Sequence, residues 1–257
     1  MRSTASTLRR MIKVYDTLII GSGYFSLGYA ASHENTVICE SSEGCDTGFC
    51  LPISGFKYHP YAPKSRDGER LLQIFESLSL FSGGMQNTSA FECALCKYIC
   101  EAGAEVLLKC RVISTDVTAD GMIDATVQTN EGLSHIFTRK IIDTRAKTKK
   151  KRLTVLFVTE NIRETERELC AAFDGAFIEP AFYENRYALY IPVGDTDVNR
   201  VKIFVYEKWK NLTTDAKIIY IAPAFYSPDG SQTSDTSYDN PIEAFDAGYF
   251  FGKEAKI

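Results

Sequence analysis

The chain has 257 residues, of which 45% are hydrophobic and 24% are charged. These fractions are those of an ordinary folded protein, and they exclude disordered, collagen-like and coiled-coil chains. The formal net charge of -4 provides no field that would attract nucleic acid or anionic lipid. No apolar stretch approaches the roughly 18 to 20 residues of a membrane-spanning helix. We therefore expect a cytoplasmic protein with neither a nucleic-acid nor a membrane partner.

The eight cysteines are expected to be reduced and mostly buried, because a chain of this size does not need disulfides. Cys93, Cys96 and Cys100 share one face of a predicted helix. Without a second cysteine pair they make a poor zinc site, so core positions and no metal are predicted. Cys45 and Cys50 lie in a long loop, where a redox dithiol is the alternative to two plain thiols.

The first unit with a clear signature begins at residue 15. Residues 15–20 are apolar and β-branched, which predicts a buried parallel strand. The strand leads into Gly21-Ser-Gly23, and a helix is predicted over 24–32. Residues 36–40 predict a second strand that ends in Glu40. Strand, glycine turn, helix and strand make one βαβ unit.

The rest of the chain alternates helical and strand patterns after a long irregular loop at 41–66. Helices are predicted at about 67–80, capped by Asp67, at 88–102, ended by Gly103, and at 161–173. A final helix begins with Asn240 as its N-cap and Pro241 as its first residue. Strands are predicted at 104–108, in a meander at 112–143, and at 153–159, 187–191, 201–206 and 217–222.

These elements predict an α/β protein with a Rossmann-type dinucleotide-binding domain, which has a parallel sheet and a β meander. We assign residues 1–150 and 212–257 to that domain. Residues 151–211 are predicted to form a small α+β insert that contributes a substrate or cap domain.

The residues around the first turn predict a dinucleotide site. Gly21 permits the sharp turn, and Gly23 lets a pyrophosphate approach the backbone at the helix N-terminus. Glu40 follows Gly21 by nineteen positions, where a carboxylate accepts hydrogen bonds from ribose hydroxyls and repels a 2′-phosphate. FAD or NAD is therefore favoured over NADP. Ser26 replaces the usual third glycine and is small enough for close packing of helix and strand.

Three stretches resemble the FAD-dependent oxidoreductases of the glutathione reductase-like superfamily. They are residues 15–26 with Glu40, residues 103–112, and residues 240–248. The resemblance implies FAD as the cofactor, with the adenine against the backbone of Val112. It also implies that the helix beginning at Asn240 and Pro241 points its positive end toward the flavin. The expected cofactor-binding residues are Gly21, Gly23, Tyr24, Phe25, Ser26, Glu40, Val112, Asn240 and Pro241.

The chain also departs from that family. Relatives end the strand after the meander in Ala-Thr-Gly, but Arg145 stands here at the place of the glycine. This arginine could crowd the cofactor or pair with a phosphate. The loop after Glu40 has no Gly-Gly pair, so flavin binding could be altered or lost.

The resemblance implies an FAD-dependent oxidoreductase in which the flavin accepts a hydride from a small organic substrate. The alternative is a non-catalytic Rossmann-like nucleotide-binding or scaffold protein with a degenerate flavin site. An NAD-binding protein ranks third. No catalytic residue is assigned, although His59 is the best placed histidine for carrying a proton. One aromatic cluster could cover a flavin or substrate, or form the core of the insert: Phe177, Phe182, Tyr183, Tyr187 and Tyr190.

Overall fold

The computed structural model describes residues 13–45, 59–145, 151–222, 225–226 and 232–254. Within them the helices are α1 (Tyr24–Ser32), α2 (Arg66–Ser77), α3 (Phe91–Ala102), α4 (Ile162–Ala172), α5 (Val198–Trp209) and α6 (Pro241–Glu254). The strands are β1 (Val14–Ile20), β2 (Thr36–Cys39), β3 (Phe81–Ser82), β4 (Met85–Gln86), β5 (Glu105–Leu107), β6 (Arg111–Val117), β7 (Ile123–Thr129), β8 (Gly132–Asp143), β9 (Lys151–Val158), β10 (Phe177–Pro180), β11 (Arg186–Val193) and β12 (Lys217–Ile221).

The first sheet has six strands in the order β5-β2-β1-β8-β7-β6. Strand β1 pairs in parallel with β2 and β8, and β2 pairs in parallel with β5. Strands β6, β7 and β8 form an antiparallel meander. The predicted fold class, a Rossmann-type parallel sheet with a meander, is confirmed.

Helices α1, α2, α3 and α6 cover one face of this sheet. Ile19 and Ile38 of the sheet pack there against Phe75, Phe91 and Phe245 of the helices. Because β1 is buried in the middle of the sheet, its residues are the apolar run that the sequence shows. The carboxyl ends of β1 and β2 carry the predicted site.

Helices α1 and α6 cross with their backbones in close approach. A Cβ atom on Gly28 would lie 1.8 Å from the carbonyl oxygen of Phe245, and one on Gly248 would lie 2.0 Å from that of Phe25. Neither position has room for a side chain. The two glycines therefore fix α6, at the end of the chain, against the first helix.

The second sheet is antiparallel, with the order β10-β11-β9-β12. Helices α4 and α5 cover one of its faces, with Phe157, Leu169 and Val205 in the core between them. Strand β12, which the sequence assigned to the first domain, pairs with β9 in this sheet. The division of the chain at residues 150 and 212 stays a prediction.

The strand predicted at 201–206 is wrong, because these residues lie in α5. The side chain of Asp197 accepts hydrogen bonds from the amides of Asn199 and Arg200, which caps the helix. Val201 and Val205, one helical turn apart, are its buried residues. The helical period thus outweighs the β-branched and aromatic composition that indicated a strand.

Two predicted helix ends have different outcomes. Ser65 caps α2 by accepting a hydrogen bond from the Gly68 amide at 2.9 Å, whereas the predicted cap, Asp67, lies in the first turn. Gly103 ends α3 in the left-handed conformation with φ of 69°, as predicted.

Among the described residues, no helix is both long and apolar enough to cross a membrane.

We expect Gly28→Ala to destabilise the protein by about 1–3 kcal/mol or more, because the new methyl group meets backbone that cannot turn away. Urea unfolding measures the loss. Gly194→Ala is the matched control, since a Cβ at Gly194 meets no atom within 4 Å. Equal stability of the two variants would contradict the close helix crossing.

Candidate functional site

Gly21 makes the turn between β1 and α1. Its φ is +99°, a conformation that side-chain-bearing residues rarely adopt. The hydroxyl of Ser26 donates to the carbonyl oxygen of Gly21 at 2.8 Å and lies 3.1 Å from Oγ1 of Thr144 at the end of β8. Ser26 thus ties the helix to two strand ends, in addition to being small.

Glu40 lies at the end of β2 and is 5% exposed. One carboxylate oxygen accepts hydrogen bonds from the amide and the hydroxyl of Ser22, both at 2.9 Å. The other accepts from the amide of Ser42 at 2.9 Å and from the hydroxyls of Ser41 and Ser42 at 3.4 and 3.1 Å. The carboxylate is therefore held beside the glycine turn, and its role as a ribose acceptor stays a prediction.

A second carboxylate, from Asp235, lies at the N-terminus of α1. One of its oxygens accepts from the amide of Tyr24 and the other from the amide of Phe25, each at 2.8 Å. Asp235 is 7% exposed and comes from the segment that leads into α6. No sequence motif connects Asp235 with the glycine turn, so its place in the site could not be predicted from the sequence.

Gly23 lies between Ser22, which contacts Glu40, and Tyr24, which contacts Asp235. A Cβ atom there would lie 2.5 Å from a carboxylate oxygen of Asp235. The missing side chain of Gly23 thus makes room for an anionic group at the helix N-terminus, which is the property that the sequence motif predicted. In this structure the anionic group is part of the chain itself.

Arg145 lies beside the same turn. Its side-chain Cγ is 3.2 Å from where a Cβ of Gly21 would be. Its guanidinium donates to both carboxylate oxygens of Asp143 at 2.9 and 2.8 Å, and this pairing raises its pKa. Arg145 is therefore paired with a neighbour on its own strand end.

Val112 lies in β6, two residues beyond a turn that contacts Glu40. The amide of Cys110 donates to the carbonyl oxygen of Glu40 at 2.8 Å, and the amide of Lys109 donates to that of Ser42 at 2.9 Å. A cavity of about 390 Å³ opens beside this turn, with Lys109 and Ser42 in its lining. That the backbone of Val112 holds the adenine stays a prediction.

The N-terminus of α6 is capped as the sequence predicts. The side-chain oxygen of Asn240 accepts from the amide of Ile242 at 2.8 Å, and Pro241 is the first residue of the helix. The side-chain nitrogen of Asn240 donates to the carbonyl oxygen of His59 at 2.7 Å. His59 thus contributes its backbone here, and its side chain is exposed.

The expectation of buried cysteines on α3 is wrong. Cys93, Cys96 and Cys100 are exposed, because the helix buries its opposite face through Phe91, Leu95 and Tyr98 among others. Cys45 is buried, and burial is the main cause that raises the pKa of its thiol to about 12. Cys45 is therefore a neutral thiol, whereas Cys50 lies outside the described residues.

The aromatic cluster of the insert divides between the two faces of the second sheet. Tyr187 lies on the face that α4 and α5 cover. Tyr190 and Phe177 lie on the other face, with ring centroids 4.8 Å apart. The cluster is therefore divided between the core under α4 and α5 and the opposite face, which no described helix covers and which we call the helix-free face; Tyr190 is buried there.

That helix-free face carries two buried hydroxyl groups. Thr154 and Tyr190 are paired neighbours on β9 and β11, and each is 1% exposed. In the described part of the chain the hydroxyl of Thr154 has no hydrogen-bond partner, whereas that of Tyr190 interacts with the carboxylate of Glu179. The guanidinium of Arg152 stacks beside them, 5.6 Å from the ring centroid of Tyr190 and 4.9 Å from that of Tyr226.

Comparison with known proteins gives structural neighbours only, since no family model and no curated protein matches the chain. One neighbour is OxyS anhydrotetracycline hydroxylase from Streptomyces rimosus, with a TM-score of 0.58 and 12% identity over 95% of this chain and 62% of that one. A second is p-nitrophenol 4-monooxygenase PnpA from Pseudomonas putida DLL-E4, with 0.53 and 11% over 83% and 68%. A third is aklavinone-11 hydroxylase in complex with FAD and aklavinone, with 0.53 and 9% over 94% and 63%.

These neighbours share the fold of this chain; two are named as hydroxylases and one as a monooxygenase. The chain spans about two thirds of the length of each of the three. One of the three was solved with FAD, and none of them is a glutathione reductase.

Glu40→Gln should destabilise the protein by about 1–3 kcal/mol, because the amide nitrogen of glutamine must face a backbone N–H that has lost its acceptor. Thermal unfolding followed by circular dichroism measures the loss. Glu43→Gln is the control, since Glu43 is 84% exposed and forms only a surface ion pair with Lys109. A stable Glu40→Gln variant would show that this carboxylate is not held as described.

Proposed function

We propose that the protein is an FAD-dependent oxidoreductase that takes a hydride from a small organic substrate. One observation carries the proposal: the glycine turn, the N-terminus of α1 and the Glu40 carboxylate lie together in one βαβ unit. This arrangement suits a dinucleotide, and aklavinone-11 hydroxylase, which was solved with FAD, shares the fold.

The residues present fit the adenosine diphosphate half of FAD. The amides of Tyr24 and Phe25 already hold a carboxylate, which stands in for the phosphate anion. Gly21 and Gly23 would let the diphosphate approach, Ser26 would keep α1 close to the strand ends, and Glu40 would accept from the ribose. Val112 would offer its backbone to the adenine.

The flavin half would lie toward the N-terminus of α6, where Asn240 and Pro241 begin the helix. The amides of that first turn form the positive end of the helix dipole, which stabilises negative charge near it. When bound, FAD supplies the hydride-accepting chemistry. The protein contributes binding, orientation and electrostatic stabilisation.

The helix-free face of the second sheet is the proposed substrate surface. Thr154 offers a buried hydroxyl that has no partner among the described residues, Tyr190 offers a second buried hydroxyl, and Arg152 adds a guanidinium. Burial, and second the negative charge of Glu179, raise the pKa of Tyr190, so that its hydroxyl stays a protonated donor. We infer a planar substrate whose oxygen atoms accept hydrogen bonds from this surface.

The contact of Asp235 with α1 favours a second candidate function. If the carboxylate occupies the phosphate position permanently, the protein is a non-catalytic Rossmann-like nucleotide-binding or scaffold protein. The cofactor content of the purified protein distinguishes the two functions.

We expect the protein, purified or after incubation with FAD, to show the visible absorbance bands of an oxidised flavin. Heat denaturation should release the flavin into the supernatant, and an anaerobic panel of planar organic substrates should bleach the bands. A colourless protein that takes up no added FAD would refute the proposal. Retained flavin that no substrate reduces would favour the non-catalytic alternative.

Thr154→Val should leave the stability unchanged or raise it by up to about 1 kcal/mol, since it removes a buried hydroxyl that has no partner among the described residues. Tyr190→Phe should change the stability by no more than about 1 kcal/mol. Both should slow anaerobic flavin reduction about tenfold, which corresponds to ~1.4 kcal/mol of lost binding. Tyr187→Phe, on the opposite face of β11, is the control. A reduction rate equal to that of the control would remove these hydroxyls from the substrate surface.

A further inference from the structure

The first amides of α1 bind a carboxylate from the other end of the chain. Tyr24 and Phe25 each donate to a different oxygen of Asp235, at 2.8 Å in both cases. Asp235 is 7% exposed and begins a short 3-10 turn, Asp235–Ser237, just before α6. A carboxylate held in this way at a helix N-terminus has the hydrogen bonds and the electrostatic setting of a bound anion.

Neither the N-cap nor the first turn of α1 has a side chain that accepts hydrogen bonds from these amides. Its N-cap residue is Gly23, which has no side chain to accept a hydrogen bond, and its first turn contains no acidic residue. Most helices satisfy these donors with a Ser, Thr, Asp or Asn at the N-cap. Here the acceptor comes from Asp235, 211 positions along the chain.

The carboxylate also fills the space that Gly23 leaves open. Its two oxygens and its carboxyl carbon lie 2.5, 3.0 and 2.8 Å from where a Cβ of Gly23 would be. A phosphate group in contact with the same two amides would have to occupy this volume. Two anions at one position also repel each other.

Glu40, the predicted ribose acceptor, is likewise already hydrogen-bonded to groups of the chain. The carboxylate of Glu40 accepts from the hydroxyls of Ser22, Ser41 and Ser42. These hydroxyls take acceptor positions that a ribose would use. Groups of the chain thus satisfy both the phosphate donors and the ribose acceptor.

We propose that Asp235 is an intramolecular competitor of the FAD diphosphate. The carboxylate and the diphosphate exclude each other at the amides of Tyr24 and Phe25, so the segment Thr233–Ser237 leaves α1 when the dinucleotide binds. The inference rests on the proposed function. It adds that the apparent affinity for FAD is set by how often this segment is released.

The test compares Asp235→Asn and Asp235→Ala with Asp239→Asn in the flavin-free full-length protein. Asp239 is exposed and four residues from Asp235, so its variant removes the same charge from the same segment without touching α1. Isothermal titration measures the binding of FAD, ADP and adenosine. ADP carries the diphosphate without the flavin, and adenosine lacks the diphosphate.

Both Asp235 variants should bind FAD and ADP about tenfold more tightly than the natural protein, the change that corresponds to ~1.4 kcal/mol. Adenosine affinity should not change, and Asp239→Asn should behave like the natural protein. Asparagine is itself a good capping residue, so Asp235→Asn is expected to fold even if Asp235→Ala does not. Hydrogen exchange of the Tyr24 and Phe25 amides, measured without ligand, should be faster in the Asp235 variants.

The outcomes separate this inference from the proposed function. Equal FAD affinity in the natural protein and the Asp235 variants overturns the competition and leaves the proposed function standing. Binding by the Asp235 variants alone supports the competition and identifies the natural protein as a self-blocked nucleotide site. If no variant binds FAD or ADP, both the proposed function and the inference fail.

Discussion

The close crossing of α1 and α6 is the contact on which the arrangement of the site depends. Gly28 and Gly248 let the two backbones meet, so that the last helix of the described residues lies against the first. The segment before α6 is thereby brought to the N-terminus of α1, where Asp235 contacts the amides of Tyr24 and Phe25. A side chain at either glycine would push apart the two ends of the chain that build the site.

The local parts of the fold could be predicted from the sequence. The glycine turn, helix α1 over residues 24–32 and the meander follow from patterns within a few residues of one another. The C-cap at Gly103 and the N-cap at Asn240 are likewise local, because each depends on the chemistry of one residue at a helix end. The position of Glu40 beside the turn follows from the spacing of one βαβ unit.

The remainder depends on contacts that no local pattern contains. Which face of α3 is exposed could not be predicted from the sequence, because cysteine occurs both in cores and on surfaces. The exposed face carries three cysteines. The pairing of β12 with β9 is decided by tertiary packing rather than by chain order. In the sequence, Asp235 cannot be distinguished from the other acidic residues, and only the folded structure shows its contact with α1.

The contact at Gly23 affects how a Gly-x-Gly fingerprint is interpreted in a sequence. In this chain the open space over Gly23 is filled by the protein's own carboxylate, so the glycine is required even when no nucleotide is present. A Gly-x-Gly turn can therefore be retained for internal packing alone. The fingerprint then reports the shape of a helix N-terminus that needs an anion, and it leaves open whether that anion comes from a cofactor or from the polypeptide.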